Sequence, residues 1–151
     1  MSIAIRSASV DDAPAISGLI EAAYAAGIDH HFGEEGRATF LEFVTPAAIA
    51  ARLDGDGDGD GWVAVKDDRS IVGYAELAGD HLKMLFVRND LQRTGIGRKL
   101  LTFLRVFRRG HMVTLRAAPN ADAFYLAVGF RPTGPKQQQG GVIFTPMEMK
   151  F

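Results

Sequence analysis

Cysteine is absent from the 151 residues, which excludes a disulfide framework, a thiolate metal site and a cysteine nucleophile together. An excess of either charge is lacking too: 17 Lys and Arg stand against 18 Asp and Glu, a formal net charge of -1. So balanced a chain offers no basic surplus for nucleic acid or an anionic membrane, and any anionic ligand has to be held by a local arrangement. Long hydrophobic runs are missing near the start, where Ile3 and Ile5 are soon followed by Asp11 and Asp12. Neither a secretory leader nor a membrane span is expected there, and a cytoplasmic location follows as an expectation.

What is present is a hydrophobic content of 47% in a chain of ordinary domain length. Residues 1–151 are therefore expected to form one domain around one core. Ile3 and Ile5 suggest a short strand, and Ser9 with Asp12 three residues later suggests a helix start. Ile16, Leu19, Ile20, Ala23 and Tyr24 then recur at helical spacing, with Gly27 as a stop. A further short helix is expected around Phe40 to Val44, and Thr45-Pro46 opens another that ends near Leu53.

Asp54 to Gly61 alternates Asp and Gly and reads as a loop. After it, Trp62 to Val65, Ile71 to Leu77 and Leu82 to Val87 read as three antiparallel strands. Ile96, Leu100, Leu101, Leu104 and Phe107 make a helical stripe ended by Gly110. A strand from His111 to Leu115 follows, then a short helix capped by Asn120 that carries Phe124 and Leu126, then a final pair of strands ending with Val142 to Phe151. The class is α/β: a mixed, mostly antiparallel sheet flanked by helices.

One loop stands out. Gln92-Arg93-Thr94-Gly95-Ile96-Gly97 joins a strand to an amphipathic helix. Two glycines let the backbone approach a ligand there, and the unpaired N–H groups of a helix start favour a phosphate. Arg93, Arg98 and Lys99 add positive charge where an ordinary helix start prefers acidic residues. The loop is neither the nucleoside triphosphate loop, for want of a Lys-Ser/Thr pair after the last glycine, nor the dinucleotide fingerprint, for want of a third glycine. Taken alone, it is also compatible with a plain turn.

Gln92-x-x-Gly95-x-Gly97 after the fourth strand, together with Asn120-Ala121-x-x-Phe124-Tyr125-x-x-x-Gly129-Phe130 downstream, resembles the GNAT acyltransferase superfamily. The likeness extends over nearly the whole chain, and the tail from Gly140 to Lys150 is similar to that of small bacterial members. It is weakest from Ile28 to Leu53, the part that forms the acceptor-side wall in that family. The resemblance implies acetyl-CoA as co-substrate, splayed between the fourth and fifth strands. Main-chain groups of Leu85, Phe86 and Val87 would pair with pantetheine. Gln92, Arg93, Thr94, Gly95, Ile96, Gly97 and Arg98 would hold the pyrophosphate, while Asn120 and Phe124 belong to the segment flanking the thioester.

The implied activity is transfer of an acetyl or short acyl group to a primary amine by direct attack. Tyr125 occupies the family's position for the general acid, and its bland reading is a packing residue with a polar tip. His81 stands roughly where many members carry a glutamate base, eleven residues before Gln92, and an imidazole can take an ammonium proton near neutral pH. Glu76 is the alternative, and a reaction without a dedicated base is a third possibility. A catalytically silent CoA or acyl-CoA sensor is the other reading of the same fold.

No metal is expected. Asp56, Asp58 and Asp60-Gly61 with Asp67 spell most of a calcium loop, but the twelfth position is Asp and the flanking helices are missing. His30 and His31 with Glu34 and Glu35 lack any supporting ligand pattern. Glu34, Glu35 and Glu42 hint at a cationic acceptor, a small-molecule or peptide amine; nucleic acid and membrane partners are not expected. Phe103, Phe107 and Phe124 are expected in the core, and the assembly stays open between monomer and homodimer.

Overall fold

The computed structural model describes residues 2–27, 32–55, 57, 59–67 and 69–151. The strands are β1 (Ile3–Ser7), β2 (Asp60–Lys66), β3 (Ile71–Ala78), β4 (His81–Val87), β5 (Met112–Ala117), β6 (Arg131–Pro132), β7 (Gln137–Gln139) and β8 (Val142–Lys150). The helices are α1 (Ala13–Gly27), α2 (Glu34–Phe43), α3 (Pro46–Leu53), α4 (Ile96–Phe107) and α5 (Asp122–Val128). The strands form one sheet in the order β1-β2-β3-β4-β5-β8-β6, with β7 also on β8. Every pairing is antiparallel except β4 with β5. The expected mixed, mostly antiparallel sheet flanked by helices is what the chain forms. Among the described residues, no helix is long and apolar enough to cross a membrane.

Helices cover both faces of the sheet. On one face, Ile16 and Ile20 of α1 and Ile49 of α3 meet Val63, Tyr74 and Met84. On the other, Leu100 and Leu104 of α4 meet Ala64, Val72, Leu77, Leu82 and Leu115. These leucines and isoleucines are fully buried, each contributing about 1.5–3 kcal/mol by leaving water. The first turn is set as its residues suggest: the Ser9 N–H donates to Asp12 Oδ2 at 2.8 Å, and Arg6 forks onto the same carboxylate at 2.8 and 3.0 Å.

Several boundaries differ from the sequence reading. Asp60 and Gly61 belong to β2, opposite Leu77 and Glu76; a Cβ on Gly61 would come within 2.7–3.0 Å of Leu53 and Tyr74, so the glycine packs rather than turns. The C-terminal part has three strands, not two. The extra hairpin turns at Gly140 and Gly141, with φ of 58° and 78°, values that glycine adopts without strain. Phe103 and Phe107 are not core: they are 39% and 50% exposed and lean on the indole of Trp62. Ala121, not Asn120, flanks the start of α5, and Leu126 is exposed. His30, His31, Asp56 and Asp58 lie outside the described residues.

Two irregularities position the site. Glu76 pairs with Met84 but Leu77 with Leu82, so Lys83 is the extra residue of a bulge in β4, a device that re-aims side chains. Beyond it, β4 and β5 pair only at His81 with Thr114 and Leu82 with Leu115. From Lys83 onward β4 has β3 on one edge and, among the described residues, no strand on the other.

Candidate active site

The opening between β4 and β5 leads to the glycine loop. Leu85, Phe86 and Val87 are half-buried along it. The Gln92 amide makes a long 3.4 Å contact with the Val87 carbonyl, and the Thr94 hydroxyl donates to the Leu91 carbonyl at 2.5 Å. Arg93 and Gly95 have φ of 65° and 93°, the left-handed region that a non-glycine residue occupies only at some cost. Gly95 is the N-cap of α4 and makes no side-chain cap, so the first-turn N–H groups of Ile96, Gly97 and Arg98 have no helical acceptor. A Cβ on Gly97 would stand 3.2 Å from the Phe124 ring; this close approach ties the loop to α5.

Arg93 and Arg98 are exposed beside those N–H groups. Lys99 differs from the expectation. Its Nζ donates to the Ile3 carbonyl at 2.6 Å, which fastens α4 to β1 and holds the ammonium at that strand. Asn120 is exposed, and its Nδ2 is 2.9 Å from where a Cβ on Gly27 would stand; it borders the end of α1 instead of capping α5.

Tyr125 approaches from the α4 side of the sheet. The turn that ends α5 holds it, with Phe130 N–H donating to the Tyr125 carbonyl at 2.9 Å across Gly129, whose φ is 115°. Its ring lies edge-on to Phe124 and Phe130, in the cluster containing Leu82 and Leu115. Those two leucines are the last pair before the strands part. Burial pushes its phenol well above the ordinary value, so the hydroxyl keeps its proton throughout the neutral range.

His81 stands on the opposite face. Its Nδ1 is 2.8 Å from Thr114 Oγ1, across the β4–β5 pairing. Burial first, then the charges of Arg116 and Lys83, lower its pKa. His81, Lys83 and Arg116 share with Phe43 and Leu82 a cavity of about 490 Å³. Phe43 also borders a second cavity of about 560 Å³, walled by Phe32, Phe40, Ala48 and Val142 with Glu42 and Arg52. Of residues 32–52, Phe43 alone borders both cavities, so the end of α2 stands between the His81 cavity and its neighbour.

Glu76, the alternative base, is turned to another task. It is 0% exposed; Arg52 donates to it from Nε at 2.8 Å and Nη2 at 3.3 Å, and Tyr74 Oη at 2.6 Å. Arg52 also donates to the Phe43 carbonyl at 2.8 Å. The carboxylate serves this buried network, not the cleft. Glu34 and Glu35 fill the first turn of α2, where they offset the helix dipole.

Sequence reasoning missed Lys83, Arg116, Thr114 and Phe43. Alternation in Met112–Ala117 already sets Thr114 and Arg116 opposite buried Val113 and Leu115. Lys83 carried no such signal, because a bulge decides its direction.

The model for the acetyltransferase (GNAT) domain matches residues 28–151. The peptidyl-lysine N-acetyltransferase YjaB of Salmonella typhimurium is 34% identical over 74 residues, covering 48% of this chain and 51% of that protein. The chain thus spans about half the length of the curated relatives it matches. A GCN5-related N-acetyltransferase of Rhodopseudomonas palustris superposes with a TM-score of 0.80 at 24% identity, covering 100% of this chain and 97% of that one. The PaiA N-acetyltransferase of Thermoplasma acidophilum, solved in complex with coenzyme A, gives 0.81 at 20% over 100% of both chains. At these identities the likeness is one of fold. The parted central strands, the glycine loop between them and α4, and a family match over most of the length converge on one assignment: the chain belongs to the GNAT acetyltransferase domain family.

Proposed function

We propose that the protein transfers an acetyl or short acyl group from acetyl-CoA to a primary amine. The observation that carries this reading is the parting of β4 from β5. It leaves one edge of Leu85, Phe86 and Val87 free of strand pairing and ends at the uncapped first turn of α4. An extended amide-bearing chain with a pyrophosphate at one end matches both features: the strand edge takes its amides, and the helix N–H groups with Arg93 and Arg98 take its phosphates. The complex of PaiA with coenzyme A supports the same choice of ligand.

The chemistry follows from the two faces. An amine arriving from the His81 side attacks the thioester carbonyl carbon; a C–N bond forms and the C–S bond breaks. Tyr125, from the other side, gives its proton to the departing thiolate sulfur. In the tautomer that donates Nδ1–H to Thr114, Nε2 of His81 carries the lone pair that takes a proton from the amine, directly or through water. The peptidyl-lysine acceptor named for YjaB supports an amine nucleophile.

Thiol release from acetyl-CoA, followed over a panel of amines, tests the proposal. Release that depends on an added amine is expected. CoA binding without release from any amine would instead favour the sensor reading.

A further inference from the structure

Lys83 and Arg116 are exposed, and among the described residues neither is ion-paired. Each lies over an aromatic ring instead, Lys83 Nζ 5.1 Å from the centroid of Phe43 and Arg116 Cζ 4.7 Å from that of Phe144. Such contacts fix the side chains and leave their N–H donors without an acceptor. The carboxylates beside them are engaged or lie one strand away, while exposed Glu42 borders the adjoining Phe43 cavity. Asp80 meets His111 at 3.0 Å and Arg108 at 3.9 Å, and Glu76 holds Arg52. Glu148 stands opposite Thr114 one strand further on, with Arg131 as its other neighbour. Two free cations therefore line the cavity that also contains His81, in a protein whose net charge is -1.

A cationic group, toward which the glutamates of residues 28–53 hinted, would meet Lys83 and Arg116 in the His81 cavity. We infer that the acceptor is an α-amino acid with a large apolar side chain, its carboxylate bound by Lys83 and Arg116 and its side chain in the Phe32–Phe40–Phe43–Val142 cavity. This rests on the acyl-transfer reading. Three features lead to it. Arg116 offers the planar fork that suits a carboxylate. His81 lines the same cavity as both cations, so one small molecule there can present its amine to the imidazole and its anion to Lys83 and Arg116. Phe43 is a common wall of the two cavities, and their sizes of about 490 and 560 Å³ are those of small-molecule sites.

The test compares phenylalanine, phenylalanine amide and phenethylamine as acceptors in thiol release, with wild type, Lys83→Gln and Arg116→Gln. Phenylalanine should surpass both uncharged-end analogues at least tenfold in kcat/KM. Each substitution should raise its KM about tenfold or more, as loss of a charge-assisted hydrogen bond does, and leave that of the amide unchanged. Equal or better use of the amide, or equal loss for acid and amide in the variants, overturns the inference. Calorimetric titration of N-acetylphenylalanine and its amide into the CoA-bound protein reads the subsite without turnover. Selective binding of the acid, weakened in Arg116→Gln, upholds the subsite even if no amine releases thiol, an outcome that sinks only the acyl-transfer reading. No preference for the acid overturns the inference whatever the turnover.

Discussion

Arg52 Nε lies 2.8 Å from Glu76 Oε2, with 12% and 0% of the two side chains exposed. The pair joins α3 to the middle of the sheet, and Tyr74 completes it from the neighbouring position on Glu76's own strand. Through the Phe43 carbonyl, Arg52 also holds the end of α2, and its guanidinium lies 3.7 Å above the Phe43 ring. The wall of both cavities thus hangs on one buried ion pair.

Glu76→Ala should therefore cost stability before chemistry. Breaking a buried pair by removing one partner costs about 3–5 kcal/mol, and for a domain of this size that lowers Tm by roughly 10 °C. Calorimetric melting checks the loss. A variant that melts like wild type yet has no acyl transfer would return Glu76 to the role of base.

Tyr125→Phe should do the reverse. Among the described residues nothing accepts from the Tyr125 hydroxyl, so its removal should leave Tm within about 1 °C. If the phenol protonates the leaving thiolate, kcat should fall about 10²–10⁴-fold with CoA affinity unchanged. Parallel measurements of melting, CoA binding and turnover separate the two effects; unchanged kcat would remove Tyr125 from the chemistry.

The pH profile should report His81. Its pKa in the folded protein lies below the ordinary 6.5, so the unfolded chain binds the proton more readily than the native one. This contribution to stability is fully present above pH 6.5 and is lost as pH falls through the depressed native value. The acidic limb of kcat/KM should likewise sit below 6.5. It should move toward 6.5 in Arg116→Gln, which removes one of the charges opposing protonation, and disappear in His81→Gln. An acidic limb that stays put in both variants would assign it to another group.

Substitutions in the glycine loop should act on CoA binding. Gly95→Ala has room for its methyl but must adopt a φ of 93°, at a cost of about 1–2 kcal/mol. Gly97→Val would press on Phe124, which already stands 3.2 Å from the Cβ position. Both should raise the Kd for CoA at least tenfold while leaving the far-UV circular dichroism intact. Unaltered CoA affinity in both would remove the loop from the binding site.

The elements were legible where periodicity was strong. The α4 stripe of Ile96, Leu100, Leu101 and Leu104 is buried as its spacing demands, and the Ser9–Asp12 turn forms as those residues favour. The reading failed where long-range pairing outvoted local preference. Asp60 and Gly61 look like loop but are drawn into β2 by β3, and Phe107 continues the apolar stripe of α4 yet stays half exposed against Trp62. The glycine loop and Tyr125 could be singled out because motifs carry them, and the structure puts the loop at the uncapped start of α4 and Tyr125 in the cluster with Leu82 and Leu115. Lys83, Arg116 and the Arg52–Glu76 pair could not be, since a bulge and a contact between residues 24 apart leave no local trace.

The parting of β4 and β5 has a further consequence. A sheet interrupted in its middle has two inner edges besides the outer pair, and exposed edges invite pairing with other proteins. Here the inner edges converge on His81–Thr114 and Leu82–Leu115, where the strands remain joined. A foreign strand would have to wedge them apart, whereas a slender extended ligand needs only to slide in. The protein thus keeps an open hydrogen-bonding template inside itself, where the hazard of an edge becomes a means of selecting what may pair with it.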